Sequence, residues 1–412
     1  MVSEPKGLGP IDDGMPPDAS RDTTKDGAAM HDLFADDRRD DFLRRGVSRR
    51  DFARMAALVA AGVALPFTNE AAMAQGLSAA NIPEGAVRLN ANENPLGPCP
   101  EAIAAIQGVV AQGGRYLYDK TGAFVAAIAA VEGLTKDRVL PFAGSSDPLH
   151  RAVLAFTGPK NGLVVADPGY EAAEKAARFV GAKVTRVPLR ADGSHDTAKM
   201  AAADPTAGLI YVCNPNNPTG SVTRKSDIDH VITAAPKGSV VLLDEAYIHL
   251  SETAEPGVDH VMADRDVVIL RTFSKLYGMA GLRAGAAFGR PDLLEKIRNL
   301  GAGALPVTGM VGATASLGVK GLVEERRKLI GDIRTETAEW LDKKGYPCLP
   351  SEANMLMVGV RRPGNQVGRA MLAKGVAIGR TWPSMPEHVR VTIGTRDEMA
   401  KFRDAFAKVI EA

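Results

Sequence analysis

The chain is short of cysteine. Three are present among 412 residues, Cys99, Cys213 and Cys348. They lie far apart and form no Cys-x-x-Cys pair, which excludes a thiolate metal site and a disulfide framework read from spacing. Cys213 sits in an apolar run and reads as a small buried hydrophobe rather than a nucleophile. Net charge is nearly missing too: 50 basic side chains against 49 acidic ones leave +1. That balance excludes a general attraction to nucleic acid or to an anionic membrane surface. Basic residues are therefore expected to act locally, as anchors for small anions. The apolar stretch Met55–Phe67 is shorter than the roughly 20 residues of a spanning helix, so it gives no stable membrane anchor. No internal repeat is visible, and no helix-turn-helix extension marks a regulator.

What is present is an ordinary globular composition, with 45% apolar and 24% charged residues. The length calls for two or more lobes, or one large α/β domain with additions. The N-terminal part reads differently from the rest. Residues 1–47 are rich in Asp, Arg, Gly and Pro with little periodicity, and are expected to be disordered. Then come Ser48-Arg49-Arg50-Asp51-Phe52, the apolar stretch, and the small-residue run Ala72-Met73-Ala74-Gln75. A basic region, a short apolar region and an Ala-x-Ala site together describe a signal peptide. The paired arginines point to twin-arginine export, hence to the periplasm. Residues 1–74 are set aside on this basis. Residues 75–115 form an N-terminal arm or part of a small domain, 116–305 a large domain, and 306–412 a small C-terminal domain.

In the body, short β-branched runs alternate with longer helical patterns. The expected strands are Val139–Ala143, Leu163–Ala166, Lys183–Pro188, Leu209–Cys213, Val240–Leu243, Val267–Leu270 and Ala284–Phe288. Helical segments such as Glu171–Val180 and Lys225–Ala234 lie between them. Such alternation predicts an α/β fold, a mostly parallel sheet with helices on both faces. The runs are apolar throughout, as in strands buried on both faces. Beyond about residue 290 the pattern changes to α+β. Helical stretches are expected over Asp292–Arg298, Met310–Lys344, Gln366–Lys374 and Arg396–Ile410, with strands at Met355–Val360 and Val389–Ile393.

In open parallel sheets the ligand lies outside the carboxyl ends of the strands. The polar residues at those ends are Gly144-Ser145-Ser146, Asp167-Pro168-Gly169-Tyr170, Asn214–Gly220, Asp244-Glu245-Ala246-Tyr247 and Arg271–Lys275. Two further motifs frame them, Leu89-Asn90-Ala91-Asn92-Glu93-Asn94-Pro95 and Val389-Arg390-Val391 with Gly394-Thr395-Arg396. With Ser274-Lys275 followed by Gly281-Leu282-Arg283, the set over roughly Val87 to Ala412 resembles the fold-type I aminotransferases that use pyridoxal phosphate (PLP). Within them it is similar to the histidinol-phosphate aminotransferase branch.

The resemblance implies a role for each motif. Lys275 would hold the cofactor as a Schiff base, its amine made nucleophilic by burial and nearby positive charge. Asp244 would face the pyridine nitrogen and keep it protonated. Asn217 and Tyr247 would hydrogen-bond the ring hydroxyl, and Tyr170 would stack on the ring. Ser145, Ser146, Ser274 and Arg283 would take the phosphate, at a helix N-terminus. Tyr116, or its neighbour Tyr118, would reach the phosphate of the adjacent subunit, which makes the protein a homodimer with shared sites. Arg390 would receive a substrate carboxylate, with Asn92 and Asn217 beside it. Arg380 matches an arginine that the histidinol-phosphate branch uses for the substrate phosphate. The implied reaction is a ping-pong transfer from an L-amino acid, or a histidinol-phosphate-like amine, to a 2-oxo acid, with Lys275 carrying the proton.

Two departures bear on the substrate. The segment Gly379–Pro386 carries Trp382 and two prolines where the family has another pattern. Leu96 stands where many members have Tyr. The expectation is an aminotransferase on this frame that acts on an aromatic or otherwise bulky amino acid. The same frame also serves decarboxylases, lyases and racemases, since PLP stabilises a carbanion whichever bond breaks. A non-catalytic binding protein is the alternative from another class.

Overall fold

β-Branched runs such as Gly-Leu-Ile-Tyr-Val-Cys are too short and too apolar for an amphipathic helix and bury both faces as strands. In the computed structural model, which describes residues 40–41, 43–48, 50, 70, 82–301 and 304–411, they do so. Two units are distinguished, Met1–Asp41 and Phe42–Ala412. In the first, only Asp40 and Asp41 are described, and both are helical. Most of the expected export segment, including Met55–Phe67 and Ala72–Ala74, lies outside the described residues. One part of it departs from the expected disorder. Within Leu43–Ser48, Arg45 and Val47 are buried. Arg45 Nη1 donates to the carbonyls of Leu154 and, at 2.9 Å, Thr157. These are carbonyls that a helix ending at Phe156 leaves without a helical donor.

The central sheet holds β2 (Val139–Phe142), β3 (Gly162–Asp167), β4 (Val184–Pro188), β5 (Ala207–Cys213), β6 (Val240–Asp244), β7 (Val267–Thr272) and β8 (Gly285–Gly289). Their order is β2-β8-β7-β6-β5-β3-β4, and all are parallel except β8, which runs against both neighbours. All seven expected strands are therefore in one sheet, with ends shifted by a residue or two. Leu163, Val164, Leu209, Ile210, Val241, Leu242 and Ile269 are fully buried. Each such side chain contributes about 1.5–3 kcal/mol by leaving water. Helices of this region are α1 (Pro100–Val110), α2 (Tyr118–Glu132), α3 (Ser146–Phe156), α4 (Ala172–Phe179), α5 (Thr197–Ala202), α6 (Lys225–Ala234), α7 (Val258–Met262) and α8 (Pro291–Arg298).

After β8 the chain is largely helical. The stretch Met310–Lys344, expected to be one helical run, is two helices: α9 (Val307–Leu317) and α10 (Leu322–Lys343). The break falls at Gly318–Gly321, where Gly321 takes φ +78°, a left-handed conformation that no helix continues through. Two small sheets follow. β9 (Met355–Gly359) pairs antiparallel with β11 (His388–Thr392), and β1 (Val87–Leu89) pairs parallel with β10 (Val376–Ile378). The β1–β10 pair is three residues on each side, too short for an alternation to be told from chance in the sequence, although Val87 and Leu89 are buried and Arg88 exposed. Helices α11 (Gly364–Ala373) and α12 (Arg396–Ile410) complete the unit. Thr395 opens α12 in a capping box with Glu398, and Arg396 pairs with Glu336 on the surface. That part of the Gly-Thr-Arg motif is thus helix punctuation. Among the described residues, no helix is long and apolar enough to cross a membrane.

Because β3, β5, β6 and β7 are parallel, their carboxyl ends share one edge. Register places Cys213 beside Asp244 and Asp244 beside Leu270. Motifs remote in sequence therefore arrive side by side.

Candidate active site

At the end of β6 successive side chains point to opposite sides, which separates the two acids of Asp244-Glu245. Glu245 pairs with the buried Arg271 at 2.6 Å, and Arg271 also holds Glu132 at 2.7 Å. This trio braces the sheet. Asp244 instead lines a cavity of about 300 Å³ together with Lys275. Its carboxylate accepts from the Tyr211 hydroxyl at 2.8 Å and the Ala246 N–H at 3.2 Å. Burial pushes it up to about 6, although the Tyr211 hydroxyl works against the rise. Among the described residues no cation forms an ion pair with it.

Lys275 is carried by the loop between β7 and β8. That loop is locked to the N-terminal arm. Gly278 has φ +69°, and a Cβ there would lie 2.2 Å from the Gly97 carbonyl oxygen, so only glycine allows the approach. Asn94 Nδ2 donates to the Leu276 carbonyl at 2.8 Å. The arm in turn receives the amine: Lys275 Nζ donates to the Asn92 carbonyl at 2.9 Å. Burial lowers the Lys275 amine to about 8, with Arg390 and Arg283 acting in the same direction and Glu70 and Glu93 against it. An amine in that range is partly neutral near physiological pH, as a nucleophile or base requires.

At another side of the same cavity lie Ser145, Ser146, Ser274 and Arg283. Gly144, at φ +90°, precedes α3, and a Cβ on it would meet Arg283 Nη2 at 2.3 Å. Arg283 donates to the Ser274 hydroxyl at 3.2 Å and to the Ala143 carbonyl at 2.9 Å. Burial depresses its pKa, and among the described residues no acid forms an ion pair with it. Tyr170, Asn217 and Tyr247 line the cavity as well. Tyr170 is hydrogen-bonded to the Ser146 side chain, and burial raises its hydroxyl pKa well above normal. Asn92 Nδ2 donates to the Tyr247 hydroxyl at 3.0 Å.

The arginines form a second cluster. Arg390, on β11, is fully buried, and its Nη1 donates to Asn217 Oδ1 at 2.8 Å. Its Nη2 reaches Glu70 Oε1 at 2.5 Å, and Arg380 Nη1 reaches the same oxygen at 3.0 Å. Glu70 Oε2 accepts from Asn217 Nδ2 at 3.2 Å. Burial alone would raise the Glu70 pKa; Arg390, Arg380 and Lys275 outweigh it and hold the carboxyl at about 2. Arg380 is also gripped by Glu171, Nη2 to Oε2 at 2.7 Å and Nε to Oε1 at 3.3 Å. Trp382 lies against both guanidiniums, 4.7 Å from Arg380 and 5.5 Å from Arg390. Its Nε1 donates to the Gly169 carbonyl at 3.0 Å, which ties the Gly379–Pro386 segment to the loop after β3.

Of the expected site residues, the structure brings Lys275, Asp244, Asn217, Tyr247, Tyr170, Ser145, Ser146, Ser274 and Arg283 to one cavity. Arg390 joins it through Asn217, Asn92 through Tyr247, and Arg380 through Glu70. Tyr116 does not line it. Tyr116 and Tyr118 stand exposed, with their rings stacked at 5.7 Å. Nothing in the sequence singled out Tyr211, Glu171 or Glu70. A tyrosine within an otherwise apolar strand, two residues before Cys213, was the available sign for Tyr211. Glu171 looked like a helix residue, and Glu70 fell within the presumed leader.

Residues 84–406 match the family of aminotransferases class I and II. The chain belongs to that family. It is 34% identical over 333 residues to a histidinol-phosphate aminotransferase of Moorella thermoacetica, covering 79% of this chain and 85% of the other. An aromatic amino acid aminotransferase of Rhodococcus opacus is also 34% identical over 331 residues, covering 80% and 91%. The fold superposes on the histidinol-phosphate aminotransferase of Sinorhizobium meliloti in complex with pyridoxal-5'-phosphate. The TM-score is 0.74 at 25% identity, over 82% of this chain and 94% of that one. This aminotransferase has the PLP-transferase fold type I, uses PLP, and transfers amino groups.

The cavity fits that cofactor on its own evidence. Among the described residues, a buried acid without an ion-paired cation, Asp244, and a half-buried cation without an acid, Arg283, flank one space, with the Lys275 amine beside it. The glycine at 144 keeps the approach to Arg283 open. Asp244 would face the ring nitrogen, and Ser145, Ser146, Ser274 and Arg283 would hold the phosphate. When bound, PLP supplies an electron sink for the pair left behind as the substrate loses its α-proton.

Proposed function

We propose that this aminotransferase takes a bulky, aromatic L-amino acid as donor and a 2-oxo acid as acceptor. The observation that carries the reading is the seating of the Glu70 carboxylate, one oxygen shared by Arg390 and Arg380 and the other on Asn217. A substrate carboxylate meets the same donors. Arg390 anchors it, and Asn217 fixes its plane. Lys275 Nζ moves the proton at the α-carbon, as base and then acid, its lowered pKa matching the task. Tyr247, held by Asn92, and Tyr170 limit water and keep the reacting groups oriented. Absorbance titration of the purified protein with an amino-acid panel is the test. Aromatic donors are expected to convert the cofactor band stoichiometrically to the aminated form. Conversion by histidinol phosphate alone would overturn the substrate assignment, and decarboxylation without amination would overturn the donor role.

Assembly and location belong to the same reading. We infer a homodimer in which Tyr116 or Tyr118 reaches the partner's phosphate site. Exposed Ile103, Val110, Tyr116 and Tyr118 support it, since apolar groups gathered at a surface mark contact sites. Light scattering reporting a monomer in the active enzyme would oppose it. Residues 116–305 and 306–412 are taken as large and small lobes. Twin-arginine export to the periplasm is supported by Arg49-Arg50, the apolar stretch and Ala72-x-Ala74. Mass spectrometry of the mature N-terminus tests it, and an intact Met1 on a periplasmic form would contradict the cleavage site.

A further inference from the structure

We infer that Glu171 decides which anion the substrate cradle accepts: it ties up one of the two arginine charges and so matches the site to a singly charged carboxylate over a doubly charged phosphate ester. The proposal rests on the reading of Arg390 as the carboxylate anchor and narrows it. Its basis is that the two guanidiniums do not form separate sites. Arg390 Nη2 and Arg380 Nη1 converge on a single oxygen, Glu70 Oε1, at 2.5 and 3.0 Å. The cradle is therefore one anion site with two cations. One of those cations is already paired, since the Glu171 carboxylate grips Arg380 through Nη2 and Nε at 2.7 and 3.3 Å.

The remaining charge is that of Arg390, buried and flanked by a neutral amide, Asn217, and a backbone carbonyl, Asn90 O at 2.7 Å. One carboxylate neutralises it, as Glu70 does here. A phosphate monoester carries close to two negative charges above its second pKa near 6. Its second charge would find Arg380 shared with Glu171 and would sit across that arginine from another carboxylate. Like charges at such separations are costly when half-buried. The arrangement is stiff. Trp382 packs on both guanidinium faces and is tied by Nε1 to the Gly169 carbonyl at 3.0 Å. Glu171 sits at the N-terminus of α4, two residues after Gly169. Acid, arginine and indole are thus fixed to the same loop, and Arg380 cannot simply swing from Glu171 to a phosphate.

The test is calorimetric titration of the full-length, PLP-loaded enzyme at pH 8 with two unreactive probes, 3-phenylpropionate and phenyl phosphate. The wild type is expected to prefer the monocarboxylate. In Glu171→Gln the ratio of Kd values should move towards phenyl phosphate by about tenfold or more, while Glu171→Asp keeps the wild-type ratio. In parallel, KM for histidinol phosphate should fall relative to KM for L-phenylalanine in Glu171→Gln. An unaltered ratio in Glu171→Gln would overturn the proposal. Equal loss of both probes would also overturn it, because Glu171 would then be only a brace for Arg380. Failure of the underlying anchor reading shows elsewhere: Arg390→Ala would still bind 3-phenylpropionate as the wild type does.

Discussion

The two ends of the active-site cavity treat charge in opposite ways. At the cofactor end, the buried Asp244 and the half-buried Arg283 have no ionic partners among the described residues, and desolvation shifts both towards their neutral forms. At the substrate end, Arg390 and Arg380 are met by Glu70 and Glu171. Burying an unpaired charge is costly, so a protein that leaves two such groups facing one cavity has left places for an outside ion. PLP brings both charges, a ring cation and a phosphate. The substrate end cannot wait in the same way, because its ligand comes and goes with every turnover. Its arginines are met by Glu171 and, in the chain that keeps its leader, by Glu70, and the incoming anion competes with those acids.

The largest effect expected from breaking this contrast is at the cofactor end. Lys275→Ala should still bind PLP non-covalently but lose turnover by at least about 10³-fold; single-turnover absorbance with an aromatic donor checks it, and normal turnover would remove the mechanism. Next comes Asp244→Asn, expected to lower kcat by about 10²–10³-fold. It should also reveal the strain of the lone acid. The folded pKa of Asp244 is raised from 3.8 to about 6, so the folded apoprotein holds that proton more tightly than the unfolded chain does. Stability from this group is present at pH below 3.8 and is lost as pH rises through about 6, by an amount on the order of 3 kcal/mol. Denaturant melts of apoprotein from pH 4 to 7 should show this loss in the wild type and not in Asp244→Asn.

At the substrate end the effects are smaller and lie in binding. Arg390→Ala should reduce kcat/KM for an aromatic amino acid by about 10²-fold, mostly through KM. The smallest change is in the other direction. In the uncleaved chain, which still carries residue 70, Glu70→Ala removes the internal carboxylate from the cradle, and KM should fall roughly five- to tenfold with kcat unchanged. A KM that stays put would mean that Glu70 does not compete in solution, and the contrast between the two ends would lose half its content.

The cofactor end was legible in the sequence because its residues follow strands. A buried parallel strand announces itself as an apolar run, and the first polar residue after it is at the sheet edge. Asp244 after Val-Val-Leu-Leu could be placed that way. Asn217 and Lys275 lie further along the loops that follow their strands and were picked out by likeness to the family motifs Asn214–Gly220 and Ser274-Lys275. The substrate end was only half legible. Arg390 and Arg380 were found by likeness to a family pattern. Their acids were not, because Glu171 and Arg380 are 209 residues apart and Glu70 and Arg390 are 320 apart. The two helices read as one at Met310–Lys344 failed for a local reason: the first stops at Leu317, and Gly321, in a left-handed conformation, sits just before the second begins.

The sequence by itself determined the sheet, its buried strands and the polar groups at their ends, since periodicity and apolar runs are local properties set by the geometry of a strand or helix. Only the tertiary structure decided which charges meet. An ion pair depends on where remote segments come to rest, and that is fixed by the packing of the whole chain. Two arginines met at one oxygen, one acid braced the sheet while its neighbour faced the cavity, and neither outcome is written in the spacing of the residues involved.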